Sequence, residues 1–323
     1  MSSRFSVVLL LAIVSLALRA EQRVGDIEFF GYKGIDVDSV RKALPVHPGD
    51  PYSDTTKAAV KAAVIAAIGK PPTDVAGICC DENGNGLLFI GLPGASSKTF
   101  DYNPEPKGAD RLPAEIMTLE KRVDNAIETA VRKGTAEEDD SQGYALLKDP
   151  VARPLQLEVR RWALQHEREL IRVLSSSSFV EDRRVASDVL GYSRQSDEQI
   201  QALVNAARDR DDDVRNNATR ALGVLVRSNA QLARKIPPDT FIAMLNSGSW
   251  TDRNKAASLL QALTSTRDPK LLAQIRAGAL ESLIEMASWR RPGHAYAARM
   301  VLGRIRGMPE DRLGELAWKG PVQ

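Results

Sequence analysis

A nine-residue frame recurs along the second half of the chain and constrains its fold more than any other feature. The frame is Arg, two residues, Ala, three residues, Leu and Gly, and it occurs in full at 183–191 and at 215–223. Two further copies have one departure each: 253–261 ends in Gln instead of Gly, and 295–303 begins with Ala instead of Arg. Such self-similarity indicates stacked helical hairpins, because each unit can bury its apolar face only against its neighbours.

Each residue type of the frame has a predicted role in this stack. The alanine is small where two helices approach closely, and the leucine four residues later lies on the same helical face and fills the core. The arginines Arg183, Arg215 and Arg253 can reach acidic groups of an adjacent repeat, with contact to a ligand as the alternative. The alanines expected at equivalent, enclosed positions are Ala186, Ala218, Ala257 and Ala298.

A second amphipathic segment follows each frame after a helix breaker, which completes the predicted hairpins. These segments are 197–208, 238–245, 269–287 and 309–318.

The best copy, VRNNATRALG from Val214, resembles the signature of short HEAT repeats, Val-Arg-x-x-Ala-x-x-x-Leu-Gly. The resemblance covers Phe179 to Gly320 with four repeats, and Leu155 to Leu174 is predicted as a helix of a capping unit. It implies an α-solenoid whose concave surface binds protein segments. Short repeats of this kind also occur in lyases that attach bilins to photosynthetic proteins, so the resemblance implies an enzyme as the alternative.

The first part of the chain has a different pattern and predicts a small β-α-α-β-β domain over 25–94. Asn-Gly pairs between the last two apolar runs are typical of a hairpin turn. The predicted elements are a strand at 26–30, helices starting near Asp36 and Ser53, and strands at 73–80 and 87–92.

This stretch resembles a POTRA domain, the polypeptide-transport-associated module. The residues that carry the resemblance are Gly31, Leu44, Gly49, Asp50 and Tyr52. It implies that a partner chain is bound by addition of a strand to an exposed sheet edge.

Residues 1–20 have the pattern of a secretory signal peptide: a basic start, an apolar run and a small residue before Glu21. The apolar run from Phe5 to Leu18 is shorter than the ~20 residues that span a bilayer. An uncleaved anchor is the alternative. Cleavage removes Arg4 and Arg19. The number of basic residues thereby falls from 44 to 42, which equals the number of acidic residues. A neutral, exported chain without a later membrane span is expected, in the periplasm or outside the cell.

The region 95–154 joins the two parts. Its proline-rich start, 95–113, predicts an ordered linker or wrapping loop, and 114–132 has helical apolar spacing. The acidic run 137–140 predicts a solvated helix start, with a hard-cation site as the alternative, and caps a predicted helix over 143–147. The acidic turn 209–213 is interpreted in the same two ways.

No set of residues with a catalytic or metal-binding pattern is recognisable. His47, His166 and His294 are scattered, and the chain has no HExxH, GxSxG, P-loop or GxGxxG pattern. The adjacent Cys79 and Cys80 are predicted to be unpaired small apolar residues, with a vicinal disulfide or an intermolecular bond as alternatives. We therefore expect no catalytic, cofactor-binding or metal site and no cofactor.

Together these observations predict a mainly α protein: a signal peptide at 1–20, a POTRA-like α+β domain at 25–94, connecting helices at 95–154 and a HEAT-like α-solenoid at 155–320. The expected function is that of a non-enzymatic scaffold of the bacterial cell envelope that binds a protein partner. The solenoid groove, and also a sheet edge of the small domain, are the expected binding surfaces. The alternative is an enzyme or small-ligand binder with its site between the two modules. The balanced charge argues against nucleic acid as a partner.

Overall fold

The structure, a computed structural model, describes residues 23–79, 81 and 83–320. It is mainly helical and has a small three-stranded sheet near the N-terminus. The coarse fold class that the sequence predicts, mainly α with a small α+β part at the start, is therefore confirmed. The predicted signal peptide over 1–20 lies outside the described residues.

The elements of the small domain follow one another as predicted. Strand β1 (Val24–Phe30) precedes helices α1 (Val37–Ala43) and α2 (Asp54–Ile68), and strands β2 (Asp74–Ile78) and β3 (Gly86–Gly91) complete the sheet. The middle strand is β3, which is parallel to β1 and antiparallel to β2.

Short polar signals set the ends of these elements. Gly31 adopts a φ of 72°, a left-handed conformation that directs the chain away after β1. The side chain of Asp36 accepts two backbone N–H bonds at the start of α1. Ser53 and Thr56 form a reciprocal capping box at the start of α2. Local chemistry therefore explains why these helices begin where they do.

The two faces of the sheet pack against different parts of the molecule. Leu88 and Ile90 of β3 belong to the apolar core that includes residues of α1 and α2. Leu87 and Phe89 belong to the core of the helices that follow. Because successive side chains of a strand point to opposite faces, β3 is buried on both sides. The small domain is thus docked directly on the rest of the protein.

Helix α3 (Ala114–Lys133) follows the joining segment as predicted and ends at Gly134. The expected helix start at the acidic run and the expected helix over 143–147 are wrong. Instead, β4 (Glu138–Asp139) pairs antiparallel with β5 (Leu146–Leu147) in a short hairpin. The hairpin forms because both leucines of β5 become buried, which local capping signals do not reveal.

The acidic residues of this hairpin face cations of the protein itself. Each carboxylate forms an ion pair with its own cationic side chain, either just after β5 or on a later helix. The run is therefore neither a solvated helix start nor a cluster of unpaired acids. The pairs are Glu137–Lys148, Glu138–Arg220, Asp139–Arg153 and Asp140–Arg227.

The remainder of the chain is a series of helices that pack on their neighbours, plus a short 3-10 helix, Ala230–Lys235, that the sequence pattern did not predict. The helices are α4 (Ala152–Ser176), α5 (Val180–Leu190), α6 (Asp197–Ala206), α7 (Asp212–Ser228), α8 (Asp239–Met244), α9 (Trp250–Leu263), α10 (Pro269–Ala287), α11 (Pro292–Ile305) and α12 (Glu310–Lys319).

The four copies of the sequence frame lie on α5, α7, α9 and α11, which we call the frame helices. Each frame helix contacts the next one in this order. Between them along the chain come α4, α6, α8 and α10, which we call the second helices; α4 contacts α6, and α8 contacts α10. The frame helices thus form one contacting row, and the second helices lie along it in two contacting pairs, α4 with α6 and α8 with α10.

The small residues of the frame lie in enclosed positions, as predicted. Ala186, Ala218 and Ala298 are fully buried, and Ala257 is 1% exposed. In the third copy the alanine position of the frame is Ala256, next to Ala257, and Ala256 is fully buried as well. The frame leucines Leu190, Leu222, Leu260 and Leu302 are also buried.

The joining segment 95–113, which we call the strap, wraps along the array as predicted. It crosses the turns between second and frame helices in reverse order. The backbone N–H groups of Lys98, Asn103 and Gly108 donate to carbonyls of Asn246, Arg208 and Ser176, each at 2.7 Å. The strap therefore ties successive repeats together from outside.

Enlarging a frame alanine should destabilise the protein, because the neighbouring helices leave no space for a longer side chain. We expect Ala218→Leu to lower the free energy of unfolding by about 1–3 kcal/mol, measured by urea denaturation. Ala273→Leu on α10 is the control, since Ala273 is exposed. Equal stability of the two variants would contradict the close approach at Ala218.

Candidate functional site

A row of buried arginines joins successive repeats. Arg183 donates to Asp209 at 2.8 and 3.0 Å, and Arg215 donates to Asp252 at 2.8 and 3.2 Å. All four side chains are less than one-tenth exposed. These bidentate pairs cross from one repeat to the next, so the predicted pairing between repeats is confirmed for these two arginines, and the ligand alternative is not needed for them.

The guanidinium groups of this row also bind the turn that precedes their own helix. Arg183 Nη1 donates to the carbonyl of Ser177 at 2.9 Å, Arg215 Nη1 to that of Asp209 at 2.9 Å, and Arg253 Nε to that of Ser247 at 2.7 Å. Each carbonyl lies six residues before its arginine. This repetition explains how such polar groups remain hydrogen-bonded while buried.

The fourth repeat places its arginine elsewhere. The frame has Ala295 at this position, and Arg299, one helical turn later, binds the turn before its own helix but has no carboxylate partner among the described residues. Its guanidinium is buried and donates to the carbonyls of Ala287, Trp289 and Ala317. Sequence analysis missed Arg299, although its spacing of four residues from the frame position was the available signal.

Glu285 on α10 connects three parts of the molecule. One oxygen accepts from Arg253 Nη1 at 3.0 Å and from the backbone N–H of Gly31 at 2.7 Å. The other accepts from the N–H of Tyr32 at 3.0 Å and from the hydroxyl of Ser96 in the strap. The small domain, the strap and the array therefore meet at one buried carboxylate.

Arg253 remains charged in this junction. Burial lowers the pKa of Arg253 to about 10, and the charge of Glu285 opposes that decrease. The guanidinium is thus protonated at neutral pH, and its Nη2 also donates to the carbonyl of Ser96 at 2.7 Å. The ion pair persists in the absence of solvent because every member has several hydrogen bonds.

Aromatic packing completes the contact between the sheet and the array. The ring of Phe89 lies 5.1 Å from Trp250 and 4.9 Å from Trp289, between centroids. His294 stacks edge-on against Phe89 at 5.3 Å, and burial lowers its pKa. Trp289 Nε1 also donates to the carbonyl of Phe29 in β1 at 3.0 Å. These tryptophans fill the space between the sheet and the array.

We expect Glu285→Gln to loosen the small domain, because the change leaves the buried charge of Arg253 without its partner, at a cost of about 3–5 kcal/mol. Hydrogen exchange of the Gly31 and Tyr32 amides should become at least tenfold faster. A decrease of ~1.4 kcal/mol in the free energy of local opening corresponds to a tenfold faster exchange, and the expected decrease is larger. Mass spectrometry of peptic fragments measures this.

Glu281→Gln is the matched control for this variant. Glu281 is on the same helix and pairs with Lys33 of the small domain at 3.1 Å, but both side chains are about half exposed. Such an exposed pair contributes little to stability. Comparable acceleration in both variants would show that Glu285 has no special role.

The row of second helices carries consecutive grooves. One groove of about 310 Å³ lies between α4 and α6, lined by Ile171, Leu174 and Gln201 among others. A second of about 490 Å³ lies between α8 and α10 beside the strap, and a third of about 590 Å³ lies between the 3-10 helix and α10. Gln274 lines both of the latter two. We call this surface the groove face.

A separate polar pocket lies among α3, α5 and α7. It has a volume of about 110 Å³ and is lined by Glu120, Asp124, Arg184, Val185, Asp188, Asp213 and Asn217. We call it the acid pocket.

The carboxyl groups of Glu120 and Asp188 are hydrogen-bonded to each other in the acid pocket, which requires a proton on one of them. Burial raises the pKa of Glu120 well above its ordinary value, and the charges of Asp188 and Asp124 raise it further. Burial also raises the pKa of Asp188, while the hydrogen bond from Glu120 favours its ionised form. Glu120 is therefore the protonated member of the pair. Its position on the apolar stripe of α3, four residues after Ile116, was the signal that sequence analysis overlooked.

Because the folded state binds this proton more tightly than the unfolded chain, stability should fall as pH rises above about 4.5 through the raised pKa of Glu120. Glu120→Gln keeps a donor to Asp188 and cannot ionise. We expect its free energy of unfolding, relative to the parent, to increase with pH by on the order of 1 kcal/mol.

Urea denaturation at several pH values measures this difference. Glu115→Gln, at an exposed position of the same helix, is the control. A difference between Glu120→Gln and the parent that does not change with pH would rule out the shared proton.

The structure separates the residues that sequence analysis considered for chemistry. His47 is exposed beside Asp50, His166 stacks on Trp162 at 4.0 Å and bonds Glu169, and His294 lies at the sheet contact. The three histidines do not meet. Cys79 is disulfide-bonded, so its interpretation as an unpaired thiol is wrong; Cys80 lies outside the described residues.

The acidic turn 209–213 is divided between structural roles. Asp209 binds Arg183, and Asp211 caps α7 by accepting from the N–H of Val214 at 3.1 Å. The carboxylates of Asp211, Asp212 and Asp213 lie within 4.8 Å of one another, a spacing that could hold a metal ion. Exposed acids at a helix start also have this spacing without a metal, because the helix dipole favours them there.

The two edges of the sheet differ. On β1 the carbonyl of Phe29 accepts from Trp289 and that of Ile27 accepts from Arg41 Nη1 at 3.0 Å, so this edge is covered. The opposite edge is β2, which is half-buried over most of its length. Any strand addition to this sheet would therefore take place at β2.

Comparisons with known proteins yield no family. No family model matches the chain, and no curated protein matches it. Within the described residues, no helix is both long enough and apolar enough to cross a membrane.

Proposed function

We propose that the chain is a non-enzymatic scaffold that binds a segment of a partner protein on its groove face. The observation that carries this proposal is a set of open grooves along the second helices. Although α3 and the β4–β5 hairpin pack on α4 and the small domain packs on α10, three grooves stay open between α4 and α6, between α8 and α10, and between the 3-10 helix and α10. A repeated, uncovered surface of this kind suits an extended or helical peptide.

The lining of the grooves defines the chemistry of the partner segment. Apolar side chains such as Leu174, Ile242 and Leu271 form part of each groove, and amide side chains such as Gln201 and Gln274 lie beside them. The surface carries charges of both signs. A partner segment with apolar residues at regular spacing and polar residues between them fits this surface, because apolar burial supplies affinity while the amides select orientation.

The two resemblances support the same proposal. The enclosed alanines and the ion pairs between repeats are what a HEAT-type solenoid requires over 155–320, and a POTRA-like domain over 25–94 would add the β2 edge as a second binding surface. With the signal-peptide pattern of residues 1–20, we place this scaffold in the bacterial cell envelope, in the periplasm or outside the cell.

An enzyme or ligand binder with its site between the two modules has less support. The surfaces that the small domain and the array turn toward each other are filled by Phe89, Trp250 and Trp289, and by the bonds of Glu285. A substrate would have to displace these groups. We therefore retain the scaffold as the proposed function.

Site-specific photo-crosslinking in the native cells tests the proposal. A crosslinker at Gln201 and one at Gln274 should both capture the same protein, because the two positions line different grooves of one surface. Ala58, exposed on α2 of the small domain, is the control position and should not capture that protein.

Blocking the grooves should abolish the capture. We expect Ala202→Trp combined with Ala277→Trp to reduce the crosslinked product at least tenfold, on the scale of a lost interface hot spot, since both alanines line grooves. Ala58→Trp should leave it unchanged. Capture only from Ala58, or capture that survives both tryptophans, would refute binding on the groove face.

A further inference from the structure

The acid pocket contains a carboxyl oxygen that only the proton shared with Asp188 can satisfy within the protein. Glu120 is 4% exposed, and its Oε1 receives no hydrogen bond from any N–H or O–H of the described residues. A buried acceptor of this kind requires a proton or a bound donor. The pocket beside it is open enough to admit one, because Asp124 and Asp213 at its rim are exposed.

The charge of the pocket favours a cation. Four carboxylates line it, and the guanidinium of its Arg184 is already paired with Glu181 at 2.6 Å. A metal ion fits less well, because among the described residues the acids that converge as a ligand set are Asp211, Asp212 and Asp213 and not those at the floor of the pocket. An ammonium group, which donates three hydrogen bonds, can replace the proton between Glu120 and Asp188.

A second unsatisfied atom narrows the class of ligand. Arg184 Nε is buried and has no acceptor among the described residues. Because it is a donor that lines the same pocket, an acceptor oxygen on the ligand would satisfy it. The volume of about 110 Å³ limits the ligand to a few non-hydrogen atoms.

We propose that the acid pocket binds a small primary amine that carries an oxygen next to its ammonium group, as an amino alcohol does. The ammonium lies between Glu120 and Asp188, and the oxygen accepts from Arg184 Nε. Binding transfers the proton shared by the two carboxyls to solvent. This site is on the side of the frame helices, so it is independent of the partner proposed for the groove face.

Three probes of equal size test the proposal on the full mature chain by titration calorimetry. Ethanolamine has both groups, propylamine has only the ammonium, and ethylene glycol has only hydroxyls. We expect ethanolamine to bind at least about fivefold more tightly than propylamine, the scale of one hydrogen bond, and ethylene glycol not to bind. No heat from ethanolamine, equal affinities of the two amines, or binding of ethylene glycol would overturn the proposal.

Variants locate the site. Glu120→Gln should lower the affinity for ethanolamine at least about tenfold, because a charged hydrogen bond is lost. Asp124→Asn at the exposed rim should lower the affinity severalfold through the loss of a charge alone. Glu115→Gln on the same helix should bind like the parent. Unchanged affinity in Glu120→Gln and Asp124→Asn would refute the assignment, and Asp124→Asn keeps the test valid if Glu120→Gln unfolds.

The affinity should rise with pH, because the ligand competes with the shared proton. Measurement between about pH 5 and about pH 8 covers the range in which a raised carboxyl pKa has its effect. A pH-independent affinity would contradict the exchange of proton for ammonium. The charged and titratable groups that face Glu120 and Asp188 are Asp124 from α3, Glu181 and Arg184 from α5, Asp213 and Arg220 from α7, and Tyr192 after α5.

Discussion

The architecture depends on guanidinium groups that are buried at the turns between helices. Each of Arg183, Arg215 and Arg253 binds the carbonyl six residues before it and a carboxylate of a later segment. The carbonyl bond fixes the arginine relative to its own hairpin, and the carboxylate bond fixes that hairpin relative to the next. Interdigitated side chains already oppose sliding of neighbouring helices. The ion pairs add directional contacts at the turns and so reinforce this register.

Register has a consequence for the rest of the chain. Since Arg253 holds Glu285 in place, both oxygens of Glu285 are available at defined positions for the amides of Gly31 and Tyr32. The small domain is therefore attached through the same row of charges that aligns the repeats. The strap adds a third connection, because the carbonyl of Ser96 accepts from Arg253. The three parts form one body rather than modules on a flexible tether.

Sequence periodicity predicted the parts of this structure that depend on local spacing. The frame helices and the enclosed alanines follow from residues three or four apart on one helical face. The pairing of Arg183 and Arg215 was predicted from the repetition of the frame, although their partners lie 26 and 37 residues away. The order of strands and helices in the small domain was also predictable from the sequence, because helix caps such as Asp36 and Ser53 act within a few residues of their own position.

The features that were missed depend on segments far apart in the chain. Glu285 and Gly31 are separated by 254 residues, and no local pattern connects them. The acidic run near Asp139 was assigned to a helix because its partners on α4 and α7 could not be known. Glu120 differs from these missed features because its signal is local. An acidic residue on the apolar stripe of a helix is visible in the sequence and indicates a buried charge or a shared proton.

Most of the buried charged side chains lie on or beside the frame helices. Ionisable groups that are buried or share protons concentrate at the turns and on the side of the frame helices, where other parts of the chain cover them. Desolvated charges of this kind need fixed partners, so that side of the molecule must be rigid. The grooves on the second helices are lined by apolar side chains, amides and exposed charged groups, although Glu285 on α10 is itself buried. Exposed groups can form contacts with a new partner at lower desolvation cost. Rigidity on one row thus pre-organises the grooves on the other.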